Sequence, residues 1–426
     1  MESVQVDKMK VQREFKQTEI GKIPKEWEVV RLGDAITYRK GIKPKILLNQ
    51  KEENTLPYLT ADVLRMGTFT QWARETDESV KVNKNDVVLI WDGFYCGDAF
   101  IGFEGIVSST MIKIEAELNL DKYFLFYFLK THFKELNTKI SGMYLKHVNK
   151  SVFKNLKLPL PPLPEQQKIA EILSTVDSAI EKVNQAIEKT QRLKKGLMQE
   201  LLTKGIGHRE FKETEIGRIP KDWEVVRIFD IADVKGGKRV PKGHALVGFK
   251  TPYPYLRVVD FRNMGINTGN IKYLLPETYK LIRRYIISSN DVYISIAGTI
   301  GLAGLIPGEL NGVNLTENAA KLFNLRNIAK EFLAYVLNSS IVQNQILALV
   351  GKAQQPKLAL FRIEKIKLPL PLLPEQQKIA EILSTVDKRL ELLGRKREKL
   401  ERIKKGLMND LLTGRRRVSI NLNFGV

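Results

Sequence analysis

The 426-residue chain is long enough for two or three domains, and its 43% hydrophobic content is enough to give each a core. Its formal net charge of +21 indicates an anionic partner, which could be nucleic acid, an acidic membrane face or an acidic protein. The apolar stretches fall far short of the roughly 20 residues that a membrane span needs. The N-terminus is polar, unlike a secretory signal. We therefore expect a cytoplasmic protein without a membrane partner.

Motifs for catalysis or metal binding are missing from the sequence. Cys96 is the one cysteine, which excludes an intramolecular disulfide, and the four histidines are scattered. The glycines of GTIGLAG (298–304) do not have the spacing of a dinucleotide-binding loop, so we interpret this segment as a turn between strands. There is no Walker loop, no GxSxG motif and no DPPY-type methyltransferase motif. The sequence predicts a chain with no catalytic site, no metal and no cofactor of its own.

Two blocks of the sequence occur twice. Residues 15–34 match residues 211–230 at 15 of 20 positions, and residues 158–177 match residues 368–387 at 19 of 20. Such retention indicates that the chain consists of two tandem copies. Recent duplication followed by drift is the alternative explanation, but drift is not expected to spare whole blocks.

The regions between the blocks, 35–157 and 231–367, resemble each other only faintly. Short strands are predicted at 87–91 and 292–296, and short helices near 123–130 and 332–337. We therefore expect each region to be a mixed α/β domain of the same fold with a different surface. Shared scaffolding around divergent inserts indicates two separate binding specificities.

Two long stretches have the apolar spacing of a coiled coil. The predicted helices cover residues 164–203 and 374–413, and each would span roughly 60 Å. Neither can bury its apolar stripe alone, so we predict that they pair as an antiparallel coiled coil with pseudo-twofold symmetry. The seam of the first helix is predicted at Ile169, Leu173, Val176, Ile180, Val183, Ile187, Leu193, Leu197 and Leu201.

Positive charge is concentrated in one of the variable regions. Region 35–157 has 18 basic and 14 acidic residues, a net of +4, whereas region 231–367 has 19 and 8, a net of +11. Both contain basic, glycine-containing loops of the kind that could contact phosphates and base edges, although each lysine alone could equally be solvated. The candidate DNA-binding residues are Arg39, Lys40, Lys43, Lys45, Lys146, His147 and Asn149 in the first region, and Lys235, Lys238, Arg239, Lys242, Lys352, Gln354, Gln355 and Lys357 in the second.

The repeated motif itself resembles a known family. LPLPPLPEQQKIAEIL at 158–173 and LPLPLLPEQQKIAEIL at 368–383 each follow a variable region, and IGxIPxxW occurs at 20–27 and 216–223. Together with LLTG at 411–414, this pattern resembles the specificity subunit of type I restriction-modification systems over nearly the whole chain.

The resemblance implies a division into four segments. Residues 1–157 and 208–367 would be target recognition domains, each reading one half of a bipartite, asymmetric target in double-stranded DNA. Residues 158–207 would be the first long helix, and residues 368–426 the second helix with a basic tail. The helices would set the spacer and dock partner subunits.

The resemblance also implies the partners: two methyltransferase subunits that use S-adenosylmethionine, and two restriction subunits that translocate DNA with ATP and magnesium. The chain itself would be non-catalytic. Two alternatives remain open at this stage. One is a self-contained DNA-modifying enzyme with an unrecognised site, and the other is a basic coiled-coil protein that binds an acidic protein.

Overall fold

The structure, a computed structural model, describes residues 14–117, 119–138, 140–141, 146–262, 264–350 and 356–418. The chain divides into two compact units. Unit 1 comprises Met1–Asn184 and Arg395–Val426, and unit 2 comprises Gln185–Gly394. Each unit therefore contains one variable region, the first half of one long helix and the last half of the other. The predicted division into four segments stays a prediction.

The described residues form two long helices of 39 residues each and nine shorter ones. The helices are α1 (Leu32–Ala35), α2 (Ala61–Met66), α3 (Lys122–Thr138), α4 (Lys150–Asn155), α5 (Leu163–Leu201), α6 (Ile228–Ile231), α7 (Pro276–Ile282), α8 (Lys330–Leu337), α9 (Ser340–Val350), α10 (Leu360–Glu364) and α11 (Leu373–Leu411). The long helices α5 and α11 confirm the predicted ones to within two residues at each end.

Unit 1 is built on two sheets. An antiparallel sheet has the strand order Ala99–Phe100, Val87–Ile90, Met111–Ala116, Ile36–Lys40, and a mixed sheet has the order Leu47–Leu48, Trp72–Arg74, Thr55–Leu59, Gly105–Val107, Lys81–Val82. Two-stranded pairs join Phe15–Thr18 to Gly21–Pro24, Glu28–Arg31 to Lys157–Leu160, and Ile140–Ser141 to His147–Val148.

Unit 2 repeats this plan. Its antiparallel sheet has the order Ala303–Leu305, Val292–Ser295, Ala319–Phe323, Asp233–Gly236, and its mixed sheet has the order Lys272–Tyr273, Pro254–Leu256, Val313–Leu315, Ile286–Ile287. The strand pairs are Phe211–Thr214 with Gly217–Pro220, Glu224–Arg227 with Lys367–Leu370, and Phe261–Arg262 with Gly265–Ile266. One parallel pairing occurs in each mixed sheet, aligning Tyr58 with Ile106 and Tyr255 with Asn314. The predicted common α/β fold of the two regions is confirmed.

The repeated PEQQ motif fastens the start of each long helix to its variable region. In unit 1 the buried Gln166 amide donates to the carbonyl of Asn119 (2.9 Å) and accepts from the backbone N–H of Asp121 (2.8 Å). In unit 2 the Gln376 amide does the same with Asn327 (3.0 Å) and Ala329 (2.9 Å). Because a buried amide without partners would cost stability, both copies require glutamine here.

The preceding glutamate of the motif binds a buried tryptophan. The carboxylate of Glu165 accepts from the Trp27 indole (3.0 Å) and from the Arg417 guanidinium (2.8 and 3.0 Å). The equivalent Glu375 accepts from Trp223 (3.0 Å), with a histidine, His208, in the place of the arginine (2.9 Å). In each unit, one repeated block thus supplies the tryptophan and the other the glutamate of the same hydrogen bond.

Within each unit, the start of one long helix packs antiparallel to the end of the other. In unit 1 Lys404 pairs with Asp177 (2.5 Å), which also accepts from the Tyr127 hydroxyl (2.8 Å). In unit 2 Lys194 pairs with Asp387 (2.5 Å), which accepts from the Tyr335 hydroxyl (2.8 Å). Antiparallel pairing of the helices is therefore confirmed.

The predicted seam is wrong at Leu193. This side chain is 55% exposed, because the neighbouring Lys194 turns inward to meet Asp387. Earlier seam positions, such as Ile169 and Leu173, are fully buried against the core of unit 1.

No single helix in the described ranges is long and apolar enough to cross a membrane. Helices α8 and α9 pass that test only as a pair bent by 58°. Every residue of α8 from Phe332 to Leu337 is buried in the core of unit 2.

Candidate nucleic-acid interface

The first basic loop begins at the end of an edge strand of unit 1. Arg39 and Lys40 lie on strand Ile36–Lys40, Lys43 and Lys45 follow in the loop, and all four are exposed. Gly41 directly follows Lys40, and its backbone N–H donates to the Met111 carbonyl (3.0 Å). A Cβ at Gly41 would overlap the carbonyl oxygens of Val107 and Ser108, so the close approach of this loop to the sheet requires glycine.

Two of the candidate residues of unit 1 contact Asp92, and a third lies over the ring of Phe94. The carboxylate of Asp92 lies 2.8 Å from the Lys40 ammonium and 3.4 Å from His147 Nδ1. Lys146 extends over the ring of Phe94, at 5.0 Å from its centroid. Phe94 is 71% exposed, so the structure places an exposed aromatic ring beside a basic cluster, which is a pattern suited to binding nucleic acid.

Asn149 has a structural role. Its side-chain oxygen accepts from the backbone N–H groups of Ser151 (2.9 Å) and Val152 (3.2 Å) and so caps helix α4. This capping accounts for an asparagine at this position, and the predicted DNA contact stays untested.

The second basic loop occupies the same place in unit 2. The backbone N–H of Gly237 donates to the Ala319 carbonyl (2.9 Å), and a Cβ there would overlap the carbonyl oxygens of Leu315 and Thr316. Gly41 and Gly237 are therefore equivalent, as are Met111 and Ala319. The two basic loops therefore lie at the same place on the shared fold.

The cations of the second loop surround an aromatic ring. The ammonium groups of Lys235 and Lys238 lie 5.8 and 5.6 Å from the ring centroid of Tyr285, a distance that allows cation–π attraction. Both lysines are exposed, as are Lys242 in the same loop and Arg283 and Arg284 beside the tyrosine.

Arg239 is the one candidate of this loop with a close carboxylate partner among the described residues. Its Nε donates to Glu317 at 2.6 Å, although the arginine side chain is 78% exposed. Partial burial raises the pKa of Glu317, but hydrogen bonds from Arg239 and Thr316 outweigh it and hold this pKa below its ordinary value. Glu317 is therefore ionised at neutral pH.

The remaining candidates of unit 2 fall within residues 352–357 of the sequence. Lys357 is exposed and forms a β-bridge with Ala297, next to the glycine turn at 298–301. That turn joins two antiparallel strands, as predicted. Lys352, Gln354 and Gln355 lie outside the described residues.

Sequence reasoning missed Asp92, Phe94, Tyr285 and Glu317. The signal available for the first two was the glycine-flanked, aromatic segment DGFYCGD at 92–98. Tyr285 and Glu317 gave no local signal, because each is brought to its loop by the tertiary fold.

The described part of the chain contains no group of three or more acidic, histidine or cysteine side chains that could hold a metal ion. Cys96 is fully buried. Burial raises the pKa of its thiol, which makes it a poor nucleophile.

The sequence matches a known family twice, once over each variable region, and also matches a known protein over nearly its whole length. Residues 24–190 and 220–402 each match the family of the type I restriction modification DNA specificity domain. The chain belongs to that family. It is also 36% identical over 96% of its length to the type I restriction enzyme MjaVIII specificity subunit of Methanocaldococcus jannaschii, of which it covers 97%.

A more distant sequence relative and a solved structure also match this chain. The EcoBI specificity subunit of Escherichia coli is 24% identical over 75% of this chain and 70% of its own length. The crystal structure of a type I restriction-modification S subunit from M. genitalium aligns with a TM-score of 0.60 and 17% identity, over 90% of this chain and 96% of that one. The family and the duplicated fold are thus confirmed.

Proposed function

We propose that this chain is the non-catalytic DNA specificity subunit of a type I restriction-modification complex. Each variable region reads one half of a bipartite, asymmetric target in double-stranded DNA. The observation that carries this proposal is the equivalent placement of two basic loops, at Gly41 and Gly237, on one fold with different side chains around them. Such loops give both units phosphate contacts and give each its own base contacts.

The division of labour with partners belongs to the same proposal. The long helices set the spacer between the half-sites and dock two methyltransferase subunits, and two restriction subunits complete the assembly. S-adenosylmethionine, ATP and magnesium act in those partners, and this chain needs no cofactor. The family membership and the absence of catalytic motifs in the sequence support this assignment.

Activity assays separate this proposal from a self-contained enzyme. Purified full-length chain, supplied with S-adenosylmethionine, ATP and magnesium, should neither methylate nor cleave duplex DNA. Addition of methyltransferase subunits should produce methylation at one bipartite motif. Methyl transfer by the chain alone, with contamination excluded, would contradict the proposal.

Exchange of region 35–157 for the same region of a relative tests the modularity. The exchanged chain should enrich a bipartite motif with one new half and one unchanged half from a randomised duplex library. A change in both halves would show that the regions do not read independently. Binding only to an acidic protein, and not to duplex DNA, would favour the interaction-protein alternative.

A further inference from the structure

Glu317 occupies an unusual place for a carboxylate. It follows strand Val313–Leu315 and faces the basic loop, where its carboxylate accepts from Arg239 Nε (2.6 Å) and from the Thr316 hydroxyl (2.9 Å). Thr316 is buried, so it holds one carboxylate oxygen in place. The buried Tyr255 hydroxyl lies 3.5 Å from the same oxygen and donates to the Lys238 carbonyl (2.8 Å). The other oxygen is covered only by an exposed arginine among the described residues.

The same position in unit 1 carries a different side chain. Because Met111 and Ala319 accept from the equivalent glycines, the residues two positions earlier, Ser109 and Glu317, are equivalent as well. Tyr58 lies beneath Ser109 as Tyr255 lies beneath Glu317, on strands paired in the same parallel register. The scaffold is shared, and the half-buried group at this place differs between a short hydroxyl and a charged carboxylate.

A carboxylate at this place works against general binding of DNA. Lys235, Lys238 and Lys242 are exposed on the same basic loop, and an ionised Glu317 removes part of the positive potential that attracts phosphates. An ionised carboxylate is only an acceptor of hydrogen bonds. A favourable contact with DNA therefore requires an amino group on a base edge.

We infer that Glu317 is a specificity-determining residue, which accepts a hydrogen bond from the N4 amino group of a cytosine in the half-site read by unit 2. Cytosine offers a lone donor in the major groove, whereas the adenine amino group lies beside the N7 acceptor, which repels a carboxylate. Arg239 covers the carboxylate in free protein and turns to a phosphate when DNA binds. This inference rests on the proposed function.

The test is selection from a randomised duplex library by the full-length chain. Wild type should enrich a motif with cytosine at one position of the second half-site. Glu317→Gln should lose this preference by about 5- to 150-fold and shift it toward adenine, since a glutamine amide pairs with adenine N6 and N7. Glu317→Ala should lose the preference without a shift.

Two further variants separate base reading from a merely structural role. If Glu317 only positions Arg239, Arg239→Ala and Glu317→Gln should both weaken binding to every sequence equally. The inference instead predicts that Arg239→Ala binds more weakly but keeps the cytosine preference. Glu224→Gln removes an exposed carboxylate from a conserved strand of the same unit and should change neither property.

Thermal unfolding of each variant confirms that it is folded before selection, and Glu317→Ala serves if the glutamine variant is not. A wild-type chain that enriches no bipartite motif would overturn the proposed function and the inference with it. A bipartite wild-type motif that is unchanged in folded Glu317→Gln would overturn the inference alone.

Discussion

Single residues of the two basic loops differ in what they offer to DNA. Lys238 and Lys242 are exposed cations without a carboxylate partner among the described residues, whereas Arg239 is held by Glu317. The charge excess of region 231–367 is therefore available to phosphates in part, and in part neutralised at the surface. Salt dependence measures this difference, because each phosphate contact releases counterions.

Replacement of Lys238, Arg239 and Lys242 together by alanine should weaken binding to all duplex sequences. Each lost phosphate contact should reduce the slope of log affinity against log salt by about 0.9. Fluorescence anisotropy over a salt titration with nonspecific duplex measures the slope. An unchanged slope would show that this loop is only a solvated surface.

Gln354 and Gln355, which lie outside the described residues, are candidates for reading bases rather than for contacting phosphates. Glutamine amides can pair with adenine, so replacing Gln354 and Gln355 with alanine should reduce affinity for the specific sequence by about 1 to 3 kcal/mol per contact. Binding to nonspecific duplex should stay the same. Equal losses on both duplexes would contradict base reading by these residues.

The buried carboxylate of Asp86, which is bonded to two lysines, should make the stability of unit 1 depend on pH. Asp86 is 3% exposed and bonds to Lys122 (2.8 Å) and Lys113 (3.2 Å). Burial raises its pKa, but the lysines and the backbone N–H of Asn83 outweigh this and hold the pKa below its ordinary value. A depressed carboxylate pKa stabilises the fold above the unfolded pKa, and the contribution is lost as the pH falls below about 4.

Asp86→Asn should therefore destabilise unit 1 by about 1.5 to 3 kcal/mol at pH 7, because it removes the charge that accepts hydrogen bonds from Lys122 and Lys113. The gap between variant and wild type should narrow as the pH approaches 3. Urea unfolding at both pH values measures it, with Asp77→Asn, an exposed aspartate, as the control. A gap independent of pH would argue against an electrostatic cause.

At the scale of elements, the two long helices owe their fixed register to polar contacts as well as to the apolar seam. Lys404 with Asp177 and Lys194 with Asp387 are equivalent pairs, and each aspartate also binds a tyrosine of its own variable region. Burial first, and then the hydrogen bonds to these aspartates, raise the pKa of Tyr127 and of Tyr335 far above its ordinary value.

Asp177→Ala should cost about 1.5 to 3 kcal/mol, because it removes charged hydrogen bonds from both Lys404 and Tyr127. A double-mutant cycle with Lys404→Met should give a coupling of about 1 kcal/mol or more. The exposed pair Lys168 and Glu171 on the same helix is the control and should give less than about 0.5 kcal/mol. Equal coupling in both cycles would show that the partly buried pair does not fix the register.

At the scale of the whole molecule, the long helices are proposed to set the distance between the two half-sites of the DNA target. The units divide the long helices after Asn184 and after Gly394, at positions separated by the offset of the repeat. Helical residues added within one residue of these points should therefore leave nearly all contacts within each unit intact.

Insertion of one heptad after Val183 and another after Leu393 keeps the apolar seam in phase and lengthens each helix by about 10 Å. The preferred spacer should lengthen by about three base pairs, at about 3.4 Å each. Enrichment from a library with variable spacers measures this. Half-sites at the original spacing, bound by a folded variant, would show that the helices do not set the distance.

The amino-acid sequence by itself determined the duplication, the two long helices and the mixed α/β character of each variable region. These features are local or periodic: a heptad repeats every seven residues, and the matching blocks are visible letter by letter. The basic, glycine-containing loops were also visible in both copies, but the sequence did not show that Gly41 and Gly237 lie against a sheet, which the structure shows.

Only the tertiary structure decided which side chains meet. Asp92 joins Lys40 to His147, and Arg239 reaches Glu317 across 78 residues of chain. Leu193 is exposed because Lys194 finds a carboxylate on the other long helix. Strand pairing and helix packing bring together residues that are distant in the sequence, and no local pattern encodes such contacts, because their free energy exists only once both segments are in place.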